Sequence, residues 1–531
     1  MINERETGTL EAENAELKKE NAALSAQVKQ LAEEVRLMRQ RLFGRSSEKK
    51  MTAITDGQMS IFNEAEQESD CTVREPEFEE IIYKRRKQKG KRETDFAGLP
   101  VEQIIHELPE NKRVCPECGG TLQACGHDVL RRELTVIPAR YKVTEHIQTV
   151  YACRECEENT GETPMVKAEV PAPVVRGSGI ASPSFVAYIA NQKYTLVLPL
   201  YRQEQEFKRN HLQLSRQTMA NWLIFAAEHW LAPIFNALKC LLILMKILHA
   251  DETSAQVLHE EGKPAESKST VWMYRTGCDA DRPIVLYDYQ PNRKHAHPRL
   301  FLEGFSGYLH SDGYQAYDHL SSGVIVVGCW LHVRRKFTDI LKSLPEYNQP
   351  GSLALRGMEY CDTLFALERE YAKDFHPLLP TGKDFASRYE ARLKRSKPVM
   401  DAFFNWAQSS FGTIWARPRS NMGDALAYAT NQRKHLENVL LDGRLELSNN
   451  RAERSIKPFA IGRKNWLFSN TEHGATASAM FYSIIETAKE NGLKPYEYLK
   501  YIFENAPNID INSVEEISTL LPWNAPPLCR S

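Results

Sequence analysis

Apolar residues recur every seven positions at the start of the chain. Leu10, Leu17, Leu24, Leu31 and Met38 fill one heptad position, and Asn14, Asn21, Val28, Val35 and Leu42 fill the other. This pattern predicts a coiled coil over 1–43, associating through residues 10–42 as a homodimer or higher oligomer, with the two buried Asn favouring a parallel, in-register pair. Glu13 can reach Lys18 of the partner subunit, and Glu34 can reach Arg39 of the partner subunit. A single amphipathic helix packed on its own chain is the alternative. From 44 to 100 no period holds, which predicts a partly disordered linker.

Residues 101–170 alternate apolar and polar positions between Leu130 and Tyr151, as in a β-hairpin. A Pro-, Gly- and Ser-rich stretch, Pro171 to Pro183, then marks a boundary. Three helical patterns follow within 171–235: Ser184 to Gln192, Leu200 to Lys208, and Ser215 to about Glu228. Ser215 is a fitting N-cap, and Arg216, Gln217 and Thr218 occupy the first turn behind it. The arrangement fits a helix-turn-helix-like module presenting those three side chains to DNA base edges. An ordinary three-helix packing unit fits the pattern as well.

The period changes again in 236–490. Ile247 to Leu258, Val271 to Thr276 and Ile284 to Tyr289 read as strands, followed by a helix, a strand running into Asp312, and a buried strand from Gly323 to Cys329. Three strands, helix, strand, helix is the order of a ribonuclease-H-like α/β core. About a hundred residues, 341–441, are mostly helical in pattern and read as an insertion in that core. A helical tail, 491–531, ends the chain. The fold class expected is therefore multidomain α+β: coiled coil, zinc-binding ribbon, helical module, and a ribonuclease-H-like core carrying a large helical insertion.

Composition adds local detail. At 531 residues the chain exceeds one compact core, and 42% hydrophobic with 26% charged residues is ordinary for globular protein. The net charge of −1 hides asymmetry: seven of the nine residues from Lys84 to Arg92 are basic. That run suits a phosphate backbone, or is simply a solvated face. The most apolar window, Cys240 to Met245, is bounded by Lys239 and Lys246 and is too short for a membrane span. No signal peptide pattern opens the chain, and eleven cysteines without one fit reduced thiols, hence a cytoplasmic protein.

Some of those thiols have metal-ligand spacing. Cys115-Pro-Glu-Cys118 and Cys153-Arg-Glu-Cys156 are two C-x-x-C knuckles, and four thiolates so spaced bind one structural Zn²⁺. Cys125 and His127 are spare ligand candidates, and a redox pair is the weaker alternative. A second chemistry is suggested by three carboxylates. Asp251 and Asp312 follow apolar strand patterns, and Glu453 opens a helix pattern behind Asn449 and Asn450. Such acids can hold two Mg²⁺ or Mn²⁺ ions for phosphoryl transfer on nucleic acid. Lys457, one turn beyond Glu453, can pair with it. Arg454, Arg463 and Lys464 add charge to hold phosphates beside the metals.

Ordered motifs then connect these pieces. Arg41-Leu-Phe-Gly-Arg-Ser-Ser-Glu-Lys49, the paired knuckles, Leu198-Pro-Leu-Tyr-Arg-Gln203, Asp251-Glu-Thr253 and Ser311-Asp-Gly-Tyr-Gln-Ala-Tyr317 come first. Cys329-Trp-Leu-His332-Val-Arg-Arg335, Ser448-Asn-Asn-Arg-Ala-Glu453-Arg-Ser-Ile-Lys457 and Leu520-Leu-Pro-Trp523 complete the series. Together they resemble the insertion-sequence-66 family of DDE transposases, with no departure at the three acidic positions. The resemblance implies a bacterial, nucleoid-associated enzyme that cuts the inverted-repeat ends of an insertion sequence and joins them to target DNA. It implies Asp251, Asp312 and Glu453 as ligands of two divalent ions. His332 and Arg335 would support the metal or phosphate site, though Cys329 and His332 also suit a core. The knuckles and helical module would bind the element ends, and accessory proteins of the same element would take part. Three rivals stand beside this reading: a zinc-dependent DNA-binding regulator with an inert core, a ribonuclease-H-like nuclease that cuts without joining, and a structural dimerisation protein, which would leave the two acidic strand motifs unexplained.

Overall fold

Ile247–His259, a strand of 13 residues, organises the larger part of this protein. In the computed structural model the residues described are 140–152, 165–374 and 383–530, with isolated positions before them. The expected coiled coil, the linker and all four knuckle cysteines lie outside the described residues. The chain divides into two compact units at Ala168–Glu169. In the smaller unit, β1 (Val150–Ala152) pairs antiparallel with β2 (Met165–Lys167). The described stretch 141–149 forms no strand, so the partner of β1 comes from beyond the second knuckle rather than before it.

The larger unit begins with α1 (Pro183–Tyr194), α2 (Leu200–Arg209) and α3 (Arg216–Ala226). Ser215 caps α3 by accepting the Thr218 amide at 3.1 Å, and a π turn, Ala227–Leu231, carries the chain into α4 (Ala232–Ile243). Then come β3 (Ile247–His259), β4 (Lys268–Thr276), β5 (Val285–Gln290), α5 (Ala296–Phe301), β6 (Gly307–His310) and β7 (Val324–Val327). Their sheet runs β5-β4-β3-β6-β7, with β3–β4 and β4–β5 antiparallel and β3–β6 and β6–β7 parallel. The outer half of β3 also pairs with β8 (Ser469–Thr471), a strand too short to be read from the sequence.

Helices α6 (Trp330–Ser343), α7 (Leu353–Asp374), α8 (Lys383–Ala391), α9 (Lys397–Ser410), α10 (Asn421–Asn431) and α11 (Arg433–Glu437) follow β7. They enclose a core of their own, built on Trp330, Phe337, Phe403, Phe404 and Leu426. A second core joins α1 and α3 to the sheet and to α12 (Asn450–Trp466), α13 (Glu472–Glu490) and α14 (Pro495–Asn505). Among the described residues no helix is long and apolar enough to cross a membrane.

Both outer strands of the sheet are sealed. On β5, the Val285 and Tyr287 amides donate to Thr487 Oγ1 (3.0 Å) and Ser483 Oγ (2.8 Å) of α13, and Thr487 donates back to the Val285 carbonyl. On β7, Asn438 Nδ2 donates to the Val326 carbonyl at 2.8 Å and the Gly328 amide to the His435 carbonyl at 2.9 Å. Side chains thus complete the ladder where no further strand is present.

One buried cation locks the inserted helices. Arg392, 1% exposed, meets both oxygens of Glu368 on α7 (2.7 and 2.8 Å) and donates to the carbonyls of Val439, Asp442 and Leu445. Burial opposes ionisation of Glu368, but Arg392 and Arg388 prevail and hold its carboxyl below the usual range. Because the folded value is depressed, this stabilisation is present at neutral pH, above the unfolded value near about 4.3, and is lost as pH falls through the folded value. Glu368→Gln is expected to strand the Arg392 charge and destabilise these helices by about 3–5 kcal/mol. Differential scanning calorimetry tests this: an unchanged unfolding midpoint at pH 7 would refute it.

Candidate active site

Strand register brings the first two acids together. In the parallel pair β3–β6, His249 stands opposite His310, so the residues two further along each chain, Asp251 and Asp312, leave on the same side. The rings of His249 and His310 stack at 4.2 Å, and Ala250 and Ser311 after them are also fully buried. Beyond Ala250 β3 emerges from the core and Asp251 is half-buried. Asp312 sits in a tight loop in which its Oδ1 accepts the Tyr314 amide at 3.1 Å. Gly313 has φ +89°, and a Cβ there would come within 3.0 Å of Gln432 and 3.1 Å of Tyr428 Oη. Tyr428, on α10, donates to the Asp312 carbonyl at 2.9 Å, so the inserted helices brace this loop directly.

Glu453 arrives on the first turn of α12, whose N-cap is Asn449. The Asn449 side chain donates to the Ala250 carbonyl (2.8 Å) and accepts from His249 Nδ1 (2.9 Å), while its amide donates to Cys329 Sγ (3.2 Å). The Trp330 amide donates to the Leu447 carbonyl at 3.0 Å, which fixes the start of α6 beside the start of α12. Consequently Arg335 Nη2 lies 3.3 Å from Glu453 Oε2, and His332 Nε2 lies 3.7 Å from Glu453 Oε1. Among the described residues no ion pair joins Glu453 to Lys457; Arg335 from the neighbouring helix takes that place.

The electrostatics fit a cation site. Burial pushes the Asp251 carboxyl well above the usual range, and the negative charges of Glu252, Asp312 and Glu453 push it further. Burial lowers the His332 pKa despite the opposing pull of Asp312 and Glu453, keeping the ring neutral at pH 7. Glu453 Oε1 is buried without a hydrogen-bond partner among the described residues. Converging carboxylates, a neutral imidazole and an unsatisfied oxygen suit a divalent ion. One ligand atom each from Cys329, His332 and Glu453 also lie within 4.8 Å of one another. Cys329, however, is buried, with its thiol pushed up to about 11 by burial, and it receives the Asn449 amide. Its contacts make it an anchor for Asn449.

The remaining basic candidates are dispersed. Arg463 donates to Thr253 Oγ1 (3.3 Å) and Ser254 Oγ (2.9 Å) on β3, Lys464 follows it half-buried, and Arg454 and Lys457 are exposed along α12. Arg216 and Gln217 are exposed at the start of α3, whereas the Thr218 hydroxyl is engaged by Ser215 at 2.9 Å. Asn450 is the first residue of α12.

Two neighbouring acids were not singled out by sequence. Glu252 is nearly buried and held by Arg293 and by the Tyr317 hydroxyl (2.7 Å). Glu446 is 3.0 Å from His249 Nε2 and 2.9 Å from Arg451 Nε; burial pushes its carboxyl up, but these partners hold it well below the usual range. Both acids are structural, since their charge is already answered. The alternation of β3, which turns Glu252 away from Asp251, was the signal available for the first.

Asn449→Ala leaves the Ala250 carbonyl and the His249 ring unpaired, at a cost of about 1–3 kcal/mol. Amide exchange from Ala452 to Ile456 is expected to accelerate about tenfold or more. Unchanged exchange in that turn would show that something else secures α12.

Residues 178–477, more than half of the chain, match the model of the Transposase IS66 family. Residues 112–157, spanning all four knuckle cysteines, match a zinc-finger binding domain of transposase IS66. Residues 483–523 match an IS66 C-terminal element, and residues 30–104 match a family described as Transposase C of IS166 homeodomain. An uncharacterized protein of Sinorhizobium fredii, y4qI, is 29% identical over 99% of this chain and 94% of its own. A second from that organism, y4jD, is 30% identical over 80% of each chain.

Proposed function

The chain belongs to the IS66 family of transposases, and from that premise we propose that Asp251, Asp312 and Glu453 are the catalytic acids with which it cuts the ends of its element and joins them to target DNA. The observation that carries this reading is the β3–β6 register, which sets Asp251 and Asp312 side by side, with Glu453 delivered to them by Asn449. The sheet order, antiparallel then parallel about a central strand bearing the first acid, supports a ribonuclease-H-like core.

Asp251, Asp312 and Glu453 hold two Mg²⁺ or Mn²⁺ ions. When bound, these supply activation of an attacking water or 3′-hydroxyl and stabilise the departing oxygen. Arg335 fixes the rotamer of Glu453, and His332, uncharged, adds an imidazole nitrogen without adding repulsion. Arg463, Lys464, Arg454 and Lys457 extend positive charge along α12 for the DNA backbone. The knuckle cysteines Cys115, Cys118, Cys153 and Cys156 bind one structural Zn²⁺. Their domain and the first turn of α3, with Arg216, Gln217 and Thr218, engage the inverted repeats. Residues 10–42 pair two copies and so two ends, with accessory proteins of the element assisting. The protein works in the bacterial cytoplasm at the nucleoid.

Asp251→Asn, Asp312→Asn and Glu453→Gln should each reduce cleavage and strand transfer about a thousandfold or more, equivalent to about 4 kcal/mol. Binding to element-end duplex should survive. Product gels with a labelled end decide the matter: undiminished cleavage in any variant removes that residue, and cleavage without joined product in the wild type favours the nuclease reading. Separately, elemental analysis of purified protein should find about one zinc per chain, lost in Cys115→Ser and Cys153→Ser. Retention of zinc in both would exclude the four-cysteine site.

A further inference from the structure

Glu252 leaves β3 on the face opposite Asp251, and beyond it lies an open pocket of about 210 Å³ lined by Arg293, Lys294, His295, Tyr314, Gln315 and His319. Two turns build it, one preceding α5 and one following Asp312. The Arg293 guanidinium sits 3.6 Å from the centre of the Tyr314 ring, and Tyr314 Oη donates to the Arg293 carbonyl at 2.8 Å. The His295 and His319 rings are 4.8 Å apart. The Tyr314 amide is bound by Asp312, so the pocket wall is continuous with the loop that carries that acid.

Charge makes the pocket selective. Two of its nearby carboxylates are already engaged, Glu252 by Arg293 and Tyr317 and Asp318 by His435 at 3.3 Å, while Asp312 acts on Arg293 from the adjoining loop. What faces the open space is the Lys294 ammonium, two imidazoles and the Gln315 amide, all exposed. Arg293 covers one face of Tyr314. Hydrogen-bond donors and a positive charge facing one space suit an oxyanion.

We propose that this pocket receives a backbone phosphate of the DNA strand, next to the one cut, and so sets the strand's path across Asp312. The inference rests on the proposed function. It is tested with the zinc-loaded full chain in buffer without added Mg²⁺ or Mn²⁺, and without chelator, by measuring affinity for a labelled duplex of arbitrary sequence across a salt series. Cleavage of an element-end duplex with Mg²⁺ is measured in parallel. Lys294→Ala combined with His319→Ala should weaken binding several-fold whatever the sequence and lower the slope of log affinity against log salt by about one. Lys294→Arg should keep the wild-type slope. Unchanged affinity and slope in the double variant, with a wild type that binds and cuts, would overturn the pocket and leave the function standing. Weaker binding at an unchanged slope would assign the pocket to a base and also overturn the proposal. A wild type that neither binds nor cuts DNA would overturn the function and the pocket with it.

Discussion

The site depends on one amide side chain. Asn449 joins the end of a long excursion to the central strand by bonds to Ala250 and His249, and its own amide holds Cys329 at the exit of β7. Without such a tie, returning Glu453 to Asp251 would carry the closure entropy of the whole stretch from 313 to 452. The helices of that stretch reduce the cost by folding around their own core, with Arg392 tying Glu368 on α7 to the carbonyls of Val439, Asp442 and Leu445. Asn449 then fixes only the last step. The same helices brace the Asp312 loop through Tyr428, so two of the three acids take their positions from them.

Around this tie, the acids of the region separate into two classes. Glu446 and Glu252 are matched by His249, Arg451 and Arg293, and their charge is consumed within the fold. Asp251 is half-buried among like charges. Arg335 touches one oxygen of Glu453 and leaves the other unsatisfied. A fold that neutralises some carboxylates and concentrates others holds unfavourable electrostatic energy where a cation would relieve it.

Much of this was legible in the chain, because local periodicity dictates local elements. The strand patterns from Ile247 and Ile284 match β3 and β5 closely, and Ser215 caps α3 as its position implies. Asp251, Asp312 and Glu453 stood out by context, since apolar strands and an Asn-rich helix start flank them. Their convergence was less legible, for it rests on register and on contacts between residues some 200 positions apart, such as Asn449 with Ala250. Spacing on α12 suggested Lys457 as the partner of Glu453, whereas tertiary packing supplies Arg335. β8 escaped notice because three polar residues become a strand only when β3 offers them an edge.

The sealed edges of the sheet govern how copies of this chain can meet. Ser483 and Thr487 occupy the outer donors and acceptors of β5, and Asn438 and His435 do the same for β7. At these positions neither strand offers a free donor or acceptor to a neighbouring molecule. The sheet is guarded at these positions against a strand of another molecule adding itself to the ladder, the step by which β-aggregation is templated.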